Sequence, residues 1–164
     1  MVTVRPAHST DVPQILAFIR GLGEYERLSS EVIASAEALR ATLFGERPYA
    51  EVLIGEYEGQ SAGFALFFHN YSTFLAQPGI YLEDIFVEPS FRSRGVATAL
   101  LRHLAGLALD RGCGRLEWSA LEWNRLAIDF YLKLGAVEMD AWRTYRLTGQ
   151  ALARLALVAP TAPA

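Results

Sequence analysis

The chain has 164 residues, is 52% hydrophobic and 12% aromatic, and carries a formal net charge of −3. That is enough apolar material for one domain with a core, which excludes a disordered chain. The arginines are scattered and form no basic face, so a nucleic-acid binder is not expected. The slight acidity favours a small-molecule enzyme with cationic ligands.

Thr3–Ala7 reads as a short first strand. "HSTDVPQ" then opens a helix, with Ser9 or Thr10 as cap and Pro13 in the first turn, where a missing N–H costs little. Val12, Ile15, Leu16, Ile19 and Leu22 recur at helical spacing, which predicts a helix from about Asp11 to about Tyr25. Ser35–Phe44 is a second helix capped by Ser35. The period changes to two over Val52, Ile54 and Tyr57, and again over Phe64, Leu66 and Phe68. "EYEGQ" between them predicts a hairpin turning near Gly59. Ile80–Glu88 is a strand ended by Pro89. A helix follows from Val96 and stops at "RGCG". Arg115–Leu121 is another strand. "NRLAIDFYLKLG" is a helix with Asn124 as cap and Gly135 as stop. "AVEM" and "WRTYRL" read as two closing strands, and "TGQALARLALV" as a terminal helical turn.

The order β-α-α-β-β-β-α-β-α-β-β predicts an α/β fold, one mixed sheet with helices on its faces. Ligands collect beyond the carboxyl ends of strands in such sheets, here after Glu88 and after Leu121. Cys113 is the one cysteine, so neither an internal disulfide nor a CxxC zinc site is expected. His8, His69 and His103 are far apart, and no metal is expected. No signal peptide is visible, and no stretch approaches the roughly 18 apolar residues of a membrane span. A cytoplasmic, membrane-free protein is the expectation.

The first junction is "FVEPSFRSRGVATALL". Gly95 lets the backbone approach a ligand closely. Val96, Ala97, Thr98 and Ala99 open the helix, where N–H groups lack intrahelical partners and the dipole is positive. Arg92 and Arg94 add charge, and Ser93 lies between them. These parts fit a pyrophosphate. The turn has neither a Walker A Lys-Ser/Thr pair nor GxGxxG. Taken alone, it reads equally as a tight helix entry with two solvated arginines.

The turn has a companion. Arg92-x-x-Gly95-x-Ala97 resembles the (Gln/Arg)-x-x-Gly-x-(Gly/Ala) signature of the GCN5-related N-acetyltransferases, the GNAT family. "NRLAIDFYLKLGA" resembles that family's downstream block, matching at Asn124, Ala127, Phe130, Tyr131, Gly135 and Ala136. "YLEDIFV", "EWN", "WRTYRL", "YE" at Tyr25–Glu26 and "FGERPYAEVLI" are similar to the spermidine/spermine acetyltransferase branch. The resemblance covers nearly the whole chain. It implies a single GNAT domain over residues 1–158, with a twisted, mostly antiparallel mixed sheet and helices on both faces. Residues 159–164 are expected to be a disordered tail, and a homodimer is implied.

The resemblance also implies acetyl-CoA as cosubstrate and direct acetyl transfer to an amine. Arg92, Ser93, Arg94, Gly95, Val96, Ala97 and Thr98 would hold the pyrophosphate. Backbone groups of Ile85, Phe86 and Val87 would run beside the acetyl and pantetheine arm. Asn124 and Ala127 would meet that arm, although Asn124 is also placed to cap its helix. Glu83 would accept the ammonium proton through water; its other reading is a carboxylate that only attracts a cation. Tyr131 would protonate the leaving thiolate, a phenol of ordinary pKa about 10 being a suitable donor; its other reading is a core aromatic. Tyr25, Glu26, Glu83, Asp84, Glu122 and Trp142 would line the amine groove. On a regular strand Asp84 faces away from Glu83, unless a bulge intervenes.

The expected acceptor is a small cationic amine of polyamine or diamine type. Thialysine-like amino acids and protein amines are alternatives. A CoA-binding regulatory domain without catalysis is the alternative of another class.

Overall fold

A computed structural model of the chain describes residues 1–157; the expected tail, 159–164, lies outside these. The chain forms two compact units, Met1–Ser119 and Ala120–Ala164.

The first unit holds a five-stranded sheet in the order β1-β2-β3-β4-β5. Its elements are β1 (Val2–Pro6), α1 (Val12–Tyr25), α2 (Ala36–Phe44), β2 (Glu51–Tyr57), β3 (Gln60–Ser72), β4 (Gln77–Val87), α3 (Val96–Asp110) and β5 (Leu116–Trp118). Strands β1 to β4 pair antiparallel and β5 joins β4 in parallel. This is the mixed sheet that the element order predicts, mostly antiparallel as the resemblance implies.

Local signals explain most of these elements. The Ser35 hydroxyl accepts from Ala38 N–H at 3.1 Å and starts α2. The β2–β3 hairpin turns on Glu58 and Gly59, both at positive φ, which is the demand of a tight two-residue turn. β3 runs on to Ser72 and β4 starts at Gln77, so only residues 73–76 form the turn between them.

Strand alternation separates two apolar layers. Val52, Ile54, Phe64 and Phe86 meet Val12, Ile15, Leu16 and Phe18 of α1 and Leu39 and Leu43 of α2. The Phe18 and Phe64 rings stack with centroids 5.8 Å apart. Each such ring contributes about 1.5–3 kcal/mol by leaving water. The opposite face carries α3: a side chain at Gly55 would meet Val96 Cγ1 at 2.8 Å and Leu100 Cδ1 at 3.3 Å. Helices therefore flank both faces of the sheet.

The second unit contains α4 (Arg125–Lys133) and α5 (Gly149–Leu157). The two expected closing strands do not form: residues 136–147 carry no strand among the described residues. A strand needs a neighbour to pair its N–H and C=O groups. No ladder reaches this segment, and Val137, Trp142 and Tyr145 are 81%, 76% and 89% exposed. The terminal helical turn is realised, as the two and a half turns of α5.

Candidate active site

Two features of β4 shape the first unit's site. The first is a bulge. Leu66 pairs with Asp84 and Phe67 with Leu82, so Glu83 is the extra residue opposite β3. The insertion flips the parity beyond it. Leu82 shares the α3 face with Phe67, while Asp84 joins Leu66 and Phe86 on the face covered by α1 and α2. Asp84 thereby turns toward the C-terminal end of α1, where Tyr25 and Glu26 lie. Glu83 remains exposed at the bulge.

Three carboxylates then share one neighbourhood. Burial raises Asp84 from its ordinary value to about 6, and the charges of Glu83 and Glu26 push in the same direction. Burial also raises Glu26. A cation entering here would relieve both costs, removing the repulsion and restoring a partner to a desolvated charge.

The second feature is a bare edge. β5 pairs with β4 only over Ile80–Leu82, and no other described strand pairs with that side of β4 from Glu83 to Val87. Glu88 N–H donates to Ala62 O on β3 at 2.9 Å. Alternation therefore aims the backbone N–H and C=O groups of Ile85 and Val87 at the open edge, while Phe86 spends its backbone on β3 and its ring in the core. An extended ligand with amide groups could add there as a strand does.

The open edge runs straight into the turn. Pro89–Phe91 makes a 3-10 turn, and Gly95 caps α3 at φ 83°. Ser93 also has a positive φ, 59°. The first helical bond seen here is Ala99 N–H to Gly95 O, so the N–H groups of Val96, Ala97 and Thr98 precede the i→i−4 ladder. Ser93 and Gly95 are exposed. The left-handed backbone and the free N–H row make a concavity suited to an anion. The side chains of Arg92 and Arg94 lie on aromatic rings: Arg92 on Tyr25 at 4.7 Å from the centroid, Arg94 on Tyr57 at 4.9 Å. Sequence patterns held no signal for those pairings, because Tyr25 and Tyr57 come from distant segments.

In the second unit, Asn124 Oδ1 accepts from Ala127 N–H at 3.3 Å and caps α4. Gly135 ends the helix at φ 89°. Tyr131 is half-buried with its ring 5.6 Å from that of Phe130. Glu122 and Trp142 are exposed and lie outside regular structure.

A strand with a bulge and a bare edge, followed by an anion turn on a helix start, is a ligand site whose sequence signature can be compared with known families. The model of the Acetyltransferase (GNAT) family matches residues 19–136. The chain belongs to the GNAT acetyltransferase family. It is an N-acetyltransferase, an enzyme that moves an acetyl group to an amine. It is 40% identical to a thialysine N-epsilon-acetyltransferase of Bos taurus, over 94% of this chain and 97% of that one. It is 33% identical to an L-ornithine N5-acetyltransferase of Arabidopsis thaliana, over 91% and 85%. A spermidine/spermine N(1)-acetyltransferase-like protein of Homo sapiens is 26% identical over 93% of this chain and 23% of its own length. Among solved structures, an integron cassette protein from V. cholerae superposes with a TM-score of 0.80 at 25% identity, over 96% and 98% of the two chains. Among the described residues no three His, Cys, Asp or Glu side chains gather as for a metal, and no helix is long and apolar enough to cross a membrane.

Proposed function

We propose that this GNAT acetyltransferase takes acetyl from acetyl-CoA and passes it to a short, free, cationic amine. One observation carries the acceptor class: the bulge at Glu83 gathers Glu83, Asp84 and Glu26 beside Tyr25. Clustered carboxylates suit ammonium groups, and an aromatic ring suits the methylenes and the charge. Thialysine-like and ornithine-like amino acids lead this class, supported by the names of the 40% and 33% identical relatives. A polyamine or diamine is the second reading, supported by the same acidic cluster.

The thioester supplies an activated acetyl group. The chain's own residues do the rest. Backbone N–H groups of Ile85 and Val87 on the bare edge hold and polarise amide and carbonyl oxygens. The backbone of Ser93 to Thr98 receives the pyrophosphate. Of the two carboxylates at the bulge, Asp84 titrates near pH 6 and is better matched to accept the ammonium proton near neutrality, with exposed Glu83 drawing the cation in. Tyr131 donates its hydroxyl proton to the leaving thiolate, a role supported by its place in the Asn124-to-Gly135 block. Asn124 holds α4 in shape as its cap, with Ala127 in that helix's first turn.

A homodimer is part of the same reading. No side chain between Ala120 and Leu157 is buried in the single chain, although Val137, Met139, Trp142 and Tyr145 are large and apolar or aromatic. A second copy would cover them; sedimentation velocity should show a dimer, and a monomer at micromolar concentration would end this part of the proposal. The acceptor is tested by a screen with acetyl-CoA against thialysine, ornithine, lysine, putrescine, spermidine and a lysine peptide. The proposal expects free cationic amines, thialysine first, to outrun the peptide. Preference for the peptide would overturn it.

A further inference from the structure

Arg92 stands first in the phosphate-type signature, yet its side chain points back toward the acceptor side. Its Nε donates to Val87 O at 3.2 Å. Its guanidinium carbon lies 4.7 Å from the centre of the Tyr25 ring and 6.0 Å from that of Phe86. Val87 O belongs to the bare edge of β4. Tyr25 is the last residue of α1 and precedes Glu26, whose charge acts on Asp84. Arg92 thus spans from the edge assigned to the cosubstrate arm to the ring assigned to the amine.

The residue type suits this span. A planar guanidinium can donate in its plane to a carbonyl while its face lies on a ring. A lysine keeps the charge and loses that combination. A guanidinium over a ring is held by the negative face of the ring, more strongly the drier the contact. Arg94 repeats the device one step on, laid over Tyr57 and Phe91, whose rings are 6.2 Å apart. Both arginine side chains of the turn therefore have partners within the protein, and its exposed backbone is what remains for an anion.

We propose that Arg92 is a positioning residue for the acceptor amine: it pins the Tyr25 ring against the end of β4, and its side-chain charge is not what grips the pyrophosphate. This rests on the assignment of Tyr25 and Glu26 to the amine. It deepens that assignment by making the cofactor turn a support for the acceptor groove.

Steady-state kinetics test it, with acetyl-CoA and whichever of thialysine, ornithine and spermidine the wild type uses best. Arg92→Gln should raise the amine KM about fivefold or more, while the acetyl-CoA KM stays within about twofold. Arg92→Lys should resemble Arg92→Gln in the amine KM, because charge without the planar fork does not restore the contact. Tyr25→Leu should give the same amine effect, and the double variant should be no worse than either single one. If Arg92→Gln does not fold, Arg92→Lys and Tyr25→Leu carry the same comparison. A raised acetyl-CoA KM in Arg92→Gln that Arg92→Lys restores would overturn the proposal in favour of a phosphate role. Multiplying effects of Arg92→Gln and Tyr25→Leu would overturn it too. Wild-type protein that binds acetyl-CoA in calorimetry and acetylates none of the three amines would overturn the acceptor assignment itself, before any variant is made.

Discussion

The two halves of the molecule use similar apolar residues to different effect. Up to Ser119 many of them are buried in two layers around the sheet, with Ile15, Phe64, Ile80 and Leu100 fully enclosed, while Ile33 and Phe74 stay exposed. From Ala120 to Leu157 none is buried, and Leu126, Val137 and Tyr145 are each more than 80% exposed. What differs is the secondary structure within each unit. In the first, five strands satisfy one another's backbone and leave whole faces to be covered. In the second, helices α4 and α5 are joined by residues with no ladder to enter. Hydrophobic residues lower the free energy only where a neighbouring surface is offered to them.

Substitutions in the two halves sharpen or break this contrast. The largest effect is expected at Phe64→Ala, which should cost about 3–5 kcal/mol in chemical denaturation by leaving a cavity between two helices and the sheet. A loss below about 1 kcal/mol would show that the layer is not packed as described. Gly95→Glu comes next. No L side chain is comfortable at φ 83°, and a carboxylate would project beside the anion turn. Calorimetry should show acetyl-CoA affinity reduced about 100-fold or more, roughly 2.7 kcal/mol. Unchanged affinity would remove the pyrophosphate from this turn.

Asp84→Asn should reveal a cost that the site carries. The folded-state carboxyl titrates near 6 and the unfolded one near its ordinary 3.8. Between these values the folded chain holds the extra proton, so this group's contribution falls as pH rises through the window and stays lost above it. The variant should therefore be more stable than wild type above pH 6, by on the order of 3 kcal/mol, with the difference gone below pH 4. Melting curves at pH 4 and pH 8 check this. The same variant should lose the rise of kcat/KM with pH near 6, because a base must be deprotonated to work. If that rise persists and vanishes instead in Glu83→Gln, the proton goes to Glu83.

In the second half the expected effects are smaller. Tyr131→Phe should cut kcat about tenfold or more, about 1.4 kcal/mol, while acetyl-CoA still binds. Full turnover would leave the hydroxyl without a role. Tyr145→Ser, at 89% exposure, should change the stability of the isolated chain by no more than about 0.5 kcal/mol. If it shifts a dimer toward monomer instead, the exposed segment has found its surface on a second copy.

Much of the molecule was written in local patterns that need no tertiary context. Ser35 and Asn124 announce helix starts because a short polar side chain reaches back to a free N–H. Gly59, Gly95 and Gly135 mark turns because only a residue without Cβ is at ease at positive φ. Alternation over Val52–Ile54 and Phe64–Phe68 is the pleat itself. Even the family was legible, through two motifs at fixed spacing. Three things were not. The bulge that turns Asp84 toward Glu26 exists only in the register between β3 and β4, and a one-residue offset leaves no mark in either strand alone. The fate of "AVEM" and "WRTYRL" depends on a neighbouring edge, since strand propensity without a ladder does not make a strand. The rings under Arg92 and Arg94 arrive from α1 and β2, tens of residues away. Sequence alone determined most of the elements, though not the two closing strands, and the family whose reaction they serve. The tertiary structure decided which carboxylate is perturbed and where each arginine rests, because both depend on contacts between segments that are remote along the chain.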